Sequence, residues 1–178
     1  MKTVYLSLGS NIGDRQAKLQ AAVDQLSSCD LRVLRVSPIY ETEPLELTAQ
    51  RWFLNLVVEA ETSLFPMQLL ARVGRIEREL GRVRITPNGP RTIDIDILLY
   101  GRSVVHTARL EIPHPRMAQR RFVLAPLADL NSELRHPVTR KTVKEMLDAA
   151  PPQVVRYVGP AGSLRSSGAR PSDVQSRG

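Results

Sequence analysis

Asp94 and Asp96 stand two residues apart in Thr92-Ile93-Asp94-Ile95-Asp96-Ile97-Leu98-Leu99-Tyr100, where Ile93, Ile95, Ile97 and Leu99 alternate with Thr92, Asp94, Asp96 and Leu98. That is the period of a β-strand, so both carboxylates point to one face with α-carbons roughly 6–7 Å apart. Two carboxylates on a rigid face can hold one or two Mg2+ ions beside a phosphate chain. Gly89-Pro90 makes the turn into the strand and brings Arg91 in beside the acids, and a metal–phosphate complex needs both signs of charge close together. An antiparallel strand with one wet face shows the same alternation with no function attached. Asp is nevertheless depleted in strands, and two on one face repel unless something cationic lies between them.

The elements that must position this pair can be read in order. Residues 2–8 alternate as a first strand, with Val4, Leu6 and Leu8 on one face and Tyr5 and Ser7 on the other. Gly9-Ser10-Asn11 reads as a turn, Ser10 or Asn11 capping a helix whose apolar stripe is Leu19, Ala22, Val23 and Leu26. Residues 31–37 form a second strand, and residues 39–45 a polar, Pro-containing loop able to arch over a site. The run 52–60 is the most strand-like in the chain, and Asn55 is out of place in it. Pro66 opens a helix with the buried stripe Leu69, Val73, Ile76 and Leu80, stopped by Gly81; Arg72, Arg75, Glu77, Arg78 and Glu79 lie off the stripe, most of them expected in solvent. A short hairpin over 104–112, an extended 112–116, a helical turn at 117–121, an inward-packing 122–127, a helix at 142–149 and a closing strand at 154–158 complete the domain, residues 1–158. Residues 159–178 are Gly, Pro, Ser, Ala and Arg with almost nothing apolar, and are expected to be a disordered basic tail.

The 178 residues fit one domain with a real core. Neither a membrane span nor a secretory leader is visible, and the single Cys29 excludes an internal disulfide and a cysteine-built metal site. A cytoplasmic protein without membrane or nucleic-acid partners, acting as a monomer, is the expectation. The net charge is +7, of which the tail carries +2, from Arg165, Arg170 and Arg177 against Asp173, leaving +5 for residues 1–158. Six arginines fall between Arg72 and Arg91 and four between Arg109 and Arg121, which suits a polyphosphate ligand or nucleic acid alike.

The string Gly89-Pro90-Arg91-Thr92-Ile93-Asp94-Ile95-Asp96-Ile97-Leu98 closely resembles the signature of the 6-hydroxymethyl-7,8-dihydropterin pyrophosphokinases, folate-pathway enzymes that move a diphosphate from ATP to a pterin alcohol. A second family spacing, Pro-His-x-x-Met-x-x-Arg-x-Phe, runs from Pro113 to Phe122. The resemblance covers residues 1 to about 158 and implies an α+β fold, a ferredoxin-like sandwich of a mainly antiparallel sheet with flanking helices. The β-α-β-β-α-β order, with connections too short for all-parallel pairing, points the same way. The family match makes Asp94 and Asp96 ligands of two Mg2+ ions and ATP the co-substrate. Arg82, Arg84 and Arg91 match phosphate-binding arginines, the first two in a loop that closes over the nucleotide. Glu77, Arg109, His114 and Arg120 match further ATP contacts. Phe53 and Phe122 match the aromatics that sandwich the pterin, whose edge is read by Asn55 with Thr42, Glu43 and Leu45. Four positions depart from the pattern: Pro87 replaces a charged residue, Asn88 a Trp, and Glu111 and Pro115 side chains that often carry hydroxyls.

Two rivals come from other classes. A basic ferredoxin-like domain can bind RNA, but the exposed strand aromatics of that use are absent. An Asp pair can also serve a Mg2+-dependent phosphohydrolase, which would release phosphate from ATP without any pterin. Spacing alone does not separate phosphoryl from diphosphate transfer; the family resemblance does.

Overall fold

The computed structural model describes residues 1–81 and 92–161, so Arg82, Arg84, Arg91 and the tail from 162 onward lie outside the described residues. In chain order the elements are β1 (Lys2–Ser10), α1 (Arg15–Leu26), β2 (Leu31–Val36), β3 (Ile39–Thr42), β4 (Phe53–Thr62), α2 (Pro66–Glu79), β5 (Asp94–Tyr100), β6 (Val105–His106), β7 (Glu111–Ile112), a 3-10 turn (Met117–Gln119), α3 (Arg121–Asn131), α4 (Val143–Ala149) and β8 (Val155–Gly159). The main sheet has the order β5-β1-β4-β3-β8, with β2 also paired to β4, and every pairing is antiparallel. β2 and β3 lie end to end along β4, so the core reads β5-β1-β4-(β2, β3), the ferredoxin-like arrangement.

Each face of the sheet carries its own core. Val4, Leu6 and Leu8 of β1 pack with Leu19, Ala22 and Leu26 of α1 and Leu69, Val73 and Ile76 of α2. Tyr5, Val57, Leu98 and Leu99 pack on the other face with Val123, Leu124 and Leu127 of α3 and Val143 and Met146 of α4. Leu99 departs from the alternation expected for it. The register slips at Leu98, between the pairs Leu6–Ile97 and Tyr5–Leu99, so Leu98 and Leu99 both join the second core while Ile93, Ile95 and Ile97 stay in the first.

Three other expectations need correcting. β1 does not turn at Gly9 but continues through Ser10, because β4 and β5 flank Gly9 on both sides, and the α1 cap is Asp14, whose Oδ1 accepts from Ala17 N at 3.0 Å. Residues 39–42 are a strand, not loop, because β4 and β8 pair with it on both sides. Residues 122–127 pack inward as expected, and do so within helix α3. Pro126 argues against a helix locally, yet as the sixth helical residue it forgoes only the bond to the Phe122 carbonyl, while Val123, Leu124 and Leu127 keep helical spacing. Gly159 belongs to β8, paired with Ile39, one residue past the closing strand expected at 154–158. Gly81 does stop α2 as expected, with φ +81. Among the described residues no helix is long and apolar enough to cross a membrane.

Candidate active site

Register sets the floor of the site. Reading across the strands, Asp94 of β5 lies beside Gly9 of β1, Gly9 beside Asn55 of β4, and Asn55 beside Tyr40 of β3. One row along, Asp96 lies beside Ser7. Small residues on β1 thus leave a trough, with two carboxylates on one bank and an amide on the other. Two strand spacings separate the banks, about 10 Å. Ser7, Gly9, Thr42, Glu43, Pro44, Leu45, Glu46, Gln50, Phe53, Asn55, Asp94, Asp96, Arg120 and Phe122 line the resulting cleft. Of the site residues expected from the sequence, it gathers Thr42, Glu43, Leu45, Phe53, Asn55, Asp94, Asp96, Arg120 and Phe122.

Asn55 is 3 % exposed, and its Nδ2 donates to Thr42 Oγ1 at 2.5 Å. One N–H and the carbonyl oxygen are left for a ligand edge. A Cβ on Gly9 would sit 2.7 Å from Asn55 Oδ1, closer than packed atoms approach, which is why β1 carries glycine there. Gly9→Ala should therefore destabilise the protein by roughly 1–3 kcal/mol in denaturant unfolding, the usual cost of overpacking. The cost should shrink in an Asn55→Ala background, where the clashing oxygen is gone. An unchanged midpoint in the single variant would mean that Asn55 turns aside freely. An isolated Gly in a strand was the available signal for this position; followed by Ser10-Asn11, it reads as a turn instead.

The acidic bank is fixed from below. Glu77, expected off the buried stripe and at the nucleotide, is 6 % exposed, and its Oε1 accepts from Ile95 N at 2.7 Å, the residue between the two aspartates. It is an anchor of β5 and does not line the cleft. The other bank is held by the loop before β4. Asn11 Nδ2 donates to Gln50 Oε1 and to Arg51 O, both at 2.9 Å, and Arg15 Nη1 donates to Trp52 O at 2.8 Å. Asn11 is thus buried as a loop anchor, not a helix cap.

His114 joins the acidic end through its backbone, N–H to Leu98 O at 2.9 Å, the carbonyl at the β5 register slip. Arg116 N donates to its Nδ1 at 3.2 Å, and Arg116 Nη1 reaches Glu46 Oε1 across the cleft mouth at 3.4 Å. Burial, then Arg120 and Arg116, push the His114 pKa down to about 4, with Asp94 opposing. Burial also lowers Arg120, against the pull of Asp96. Arg120 lies 5.5 Å from the Phe122 ring centroid, a cation–π distance. Arg109 is exposed on the β6–β7 turn, away from the cleft lining.

The depressed value makes neutral His114 the form that the fold holds. Between its ordinary 6.5 and about 4 the unfolded chain binds a proton that the folded chain does not, so this contribution is complete above pH 6.5 and is lost as pH falls through 4. His114→Asn keeps an acceptor for Arg116 N and should flatten the acid slope of unfolding free energy of the metal-free protein between those pH values. Equal slopes in the two proteins would count against it. His136, also lowered by burial, is common to both and cancels.

The donor set suits Mg2+. Among the described residues no group of three or more His, Cys, Asp or Glu is placed to hold a metal, and Asp94 and Asp96 are the two carboxylates that share one face of β5 in the cleft. One or two carboxylates completed by substrate phosphates is how Mg2+ is commonly held, unlike the fuller cages of Zn2+ or Ca2+.

Residues 5–132 match the family described as 7,8-dihydro-6-hydroxymethylpterin-pyrophosphokinase. The chain is 48% identical over 136 residues to a 2-amino-4-hydroxy-6-hydroxymethyldihydropteridine pyrophosphokinase of Bacillus subtilis, covering 76% of this chain and 81% of that one. It is 46% identical over 138 residues to the folic acid synthesis protein fol1 of Pneumocystis carinii, covering 78% of this chain but only 19% of that much longer protein. In three dimensions it resembles the Plasmodium falciparum HPPK-DHPS structure with TM-score 0.66 and 18% identity, over 84% of this chain and 43% of that one, a likeness of fold.

Proposed function

The chain belongs to the 7,8-dihydro-6-hydroxymethylpterin-pyrophosphokinase family, and from that premise we propose that it transfers diphosphate from ATP to the hydroxymethyl group of 6-hydroxymethyl-7,8-dihydropterin in folate biosynthesis, releasing AMP. The observation that carries the reading is a cleft whose lining brings together the aromatics Phe53 and Phe122, the amide of Asn55, the carboxylates Asp94 and Asp96 and the cation Arg120, with the carboxylates and the amide on opposite sides of Gly9. A flat heterocycle stacks between aromatics and presents its edge to an amide, while polyphosphate needs cations and metal ligands.

In the reaction the pterin hydroxyl oxygen bonds to the β-phosphorus of ATP. The bond from that phosphorus to the oxygen it shares with the α-phosphorus breaks, AMP leaves with that oxygen, and the hydroxyl proton is released. Such transfer depends mainly on position and charge neutralisation. Phe53 and Phe122 stack on the pterin, and Asn55 with the backbone of residues 42–45 reads its edge. Arg120, His114 and Arg109 hold the nucleotide, with Arg82, Arg84 and Arg91 on the phosphates. Asp94 and Asp96 would hold Mg2+, two ions in the family pattern, which when bound supplies neutralisation of the phosphate charge. A monomer is the proposed state, and the cytoplasm the proposed compartment.

Phe122→Ala tests the pterin end. It should weaken pterin binding by roughly 1–3 kcal/mol, the range for one lost stack on an aromatic, and leave affinity for a non-hydrolysable ATP analogue unchanged by titration calorimetry. Equal losses for both ligands would point to a misplaced site.

A further inference from the structure

Gln153 belongs to none of the motifs above and lies just before β8, in the segment leading from α4. Its side-chain amide joins the two walls of the cleft. Oε1 accepts from Phe122 N at 3.1 Å, and Nε2 donates to Glu43 O at 2.9 Å. The orientation is dictated by the partners, since a backbone N–H requires an acceptor and a carbonyl a donor. Phe122 N–H is one of the donors that the first turn of a helix leaves without an internal partner. Arg120, the residue before α3, makes no side-chain cap. Gln153 therefore caps α3 from 31 residues away.

At the other wall, Glu43 N donates to Val154 O at 3.2 Å and Val154 N to Glu43 Oε1 at 2.8 Å. Those two bonds fasten the residue after Thr42 to the start of β8 but do not involve Phe122. Of the three links, Gln153 alone ties the Phe122 wall to the Glu43 wall. Its loss leaves the strand contacts, the core packing of α3 and the Tyr40–Asp129 bond in place and removes the direct link between Phe122 and Glu43, so the expected damage is to the local geometry of the cleft.

We propose that Gln153 is a positioning residue for the pterin, fixing the Phe122 ring relative to the backbone of residues 42–45. This rests on the reading of the cleft as the pterin site. Gln153→Ala should lower pterin affinity roughly three- to tenfold, the range for one net hydrogen bond, with affinity for a non-hydrolysable ATP analogue unchanged. The loss should vanish in a Phe122→Ala background, because a residue that acts through Phe122 has nothing left to position. Gln153→Glu guards against misfolding: its carboxylate still caps Phe122 N–H but sets an acceptor against the Glu43 carbonyl, so α3 keeps its cap while pterin affinity falls.

Titration calorimetry of wild type, Gln153→Ala, Gln153→Glu, Phe122→Ala and the Gln153→Ala/Phe122→Ala double variant, with each ligand, decides the matter. Pterin loss confined to the Phe122 background supports positioning. Full additivity, an equal fall in ATP-analogue affinity, or undiminished pterin binding in both Gln153 variants overturns it while the pterin assignment stands. A wild-type protein that binds no pterin overturns the assignment of the cleft, and the positioning role with it.

Discussion

Asp94→Asn and Asp96→Asn should each stop turnover while leaving the fold intact. Both side chains are only partly buried, and both line the cleft from the same face of β5. Asn keeps the shape and removes the charge that holds Mg2+ against the phosphates. A bound metal supplies several kcal/mol of charge stabilisation to a transferring phosphoryl group, so the rate should fall by roughly a thousandfold or more. Near-normal activity in either variant with Mg2+ present would remove the aspartates from the metal role.

Asn55→Leu should be the most damaging change at the other bank. The substitution is close in size, so the core on this side of β4 should survive. The pterin edge would face a hydrocarbon in place of the carbonyl oxygen and the N–H that the bond to Thr42 leaves over. Two buried hydrogen-bonding groups on the ligand would go unpaired, weakening pterin binding by roughly 2–4 kcal/mol. Affinity for the ATP analogue, bound at the opposite bank, should hold. Isothermal titration with each ligand measures both, and pterin affinity within twofold of wild type would mean that Asn55 is merely a satisfied core amide.

Why some of this was legible in the sequence and some was not has a physical reason. Local periodicity placed the aspartates on one face and marked Asn55 as foreign to its strand; element order and short connections pointed to an α+β sandwich with a mainly antiparallel sheet, and its ferredoxin-like form came from the family resemblance. Periodicity fails where the backbone breaks step. Leu99 changes face because the register slips at Leu98, a property of pairing with β1 that β5 alone does not encode. Glu77 looks like one more charged residue on the outer side of α2, and its bond from Ile95 N–H, 18 residues along the chain, is what the helix pattern does not show. Gly9 reads as a turn until its neighbour across the strands is known to be Asn55. Gln153 is the extreme case, meeting Glu43 across 110 residues of chain, a distance over which no spacing rule operates.

The nucleotide released is the most direct arbiter of what this cleft does. Attack at the β-phosphorus must leave AMP, whereas attack at the γ-phosphorus must leave ADP, and no other product measurement separates the two so simply. Purified protein with ATP, Mg2+ and 6-hydroxymethyl-7,8-dihydropterin should yield AMP and the pterin diphosphate in equal amounts, with no nucleotide consumed when the pterin is left out. Formation of ADP, or release of phosphate from ATP without any pterin, would contradict diphosphate transfer.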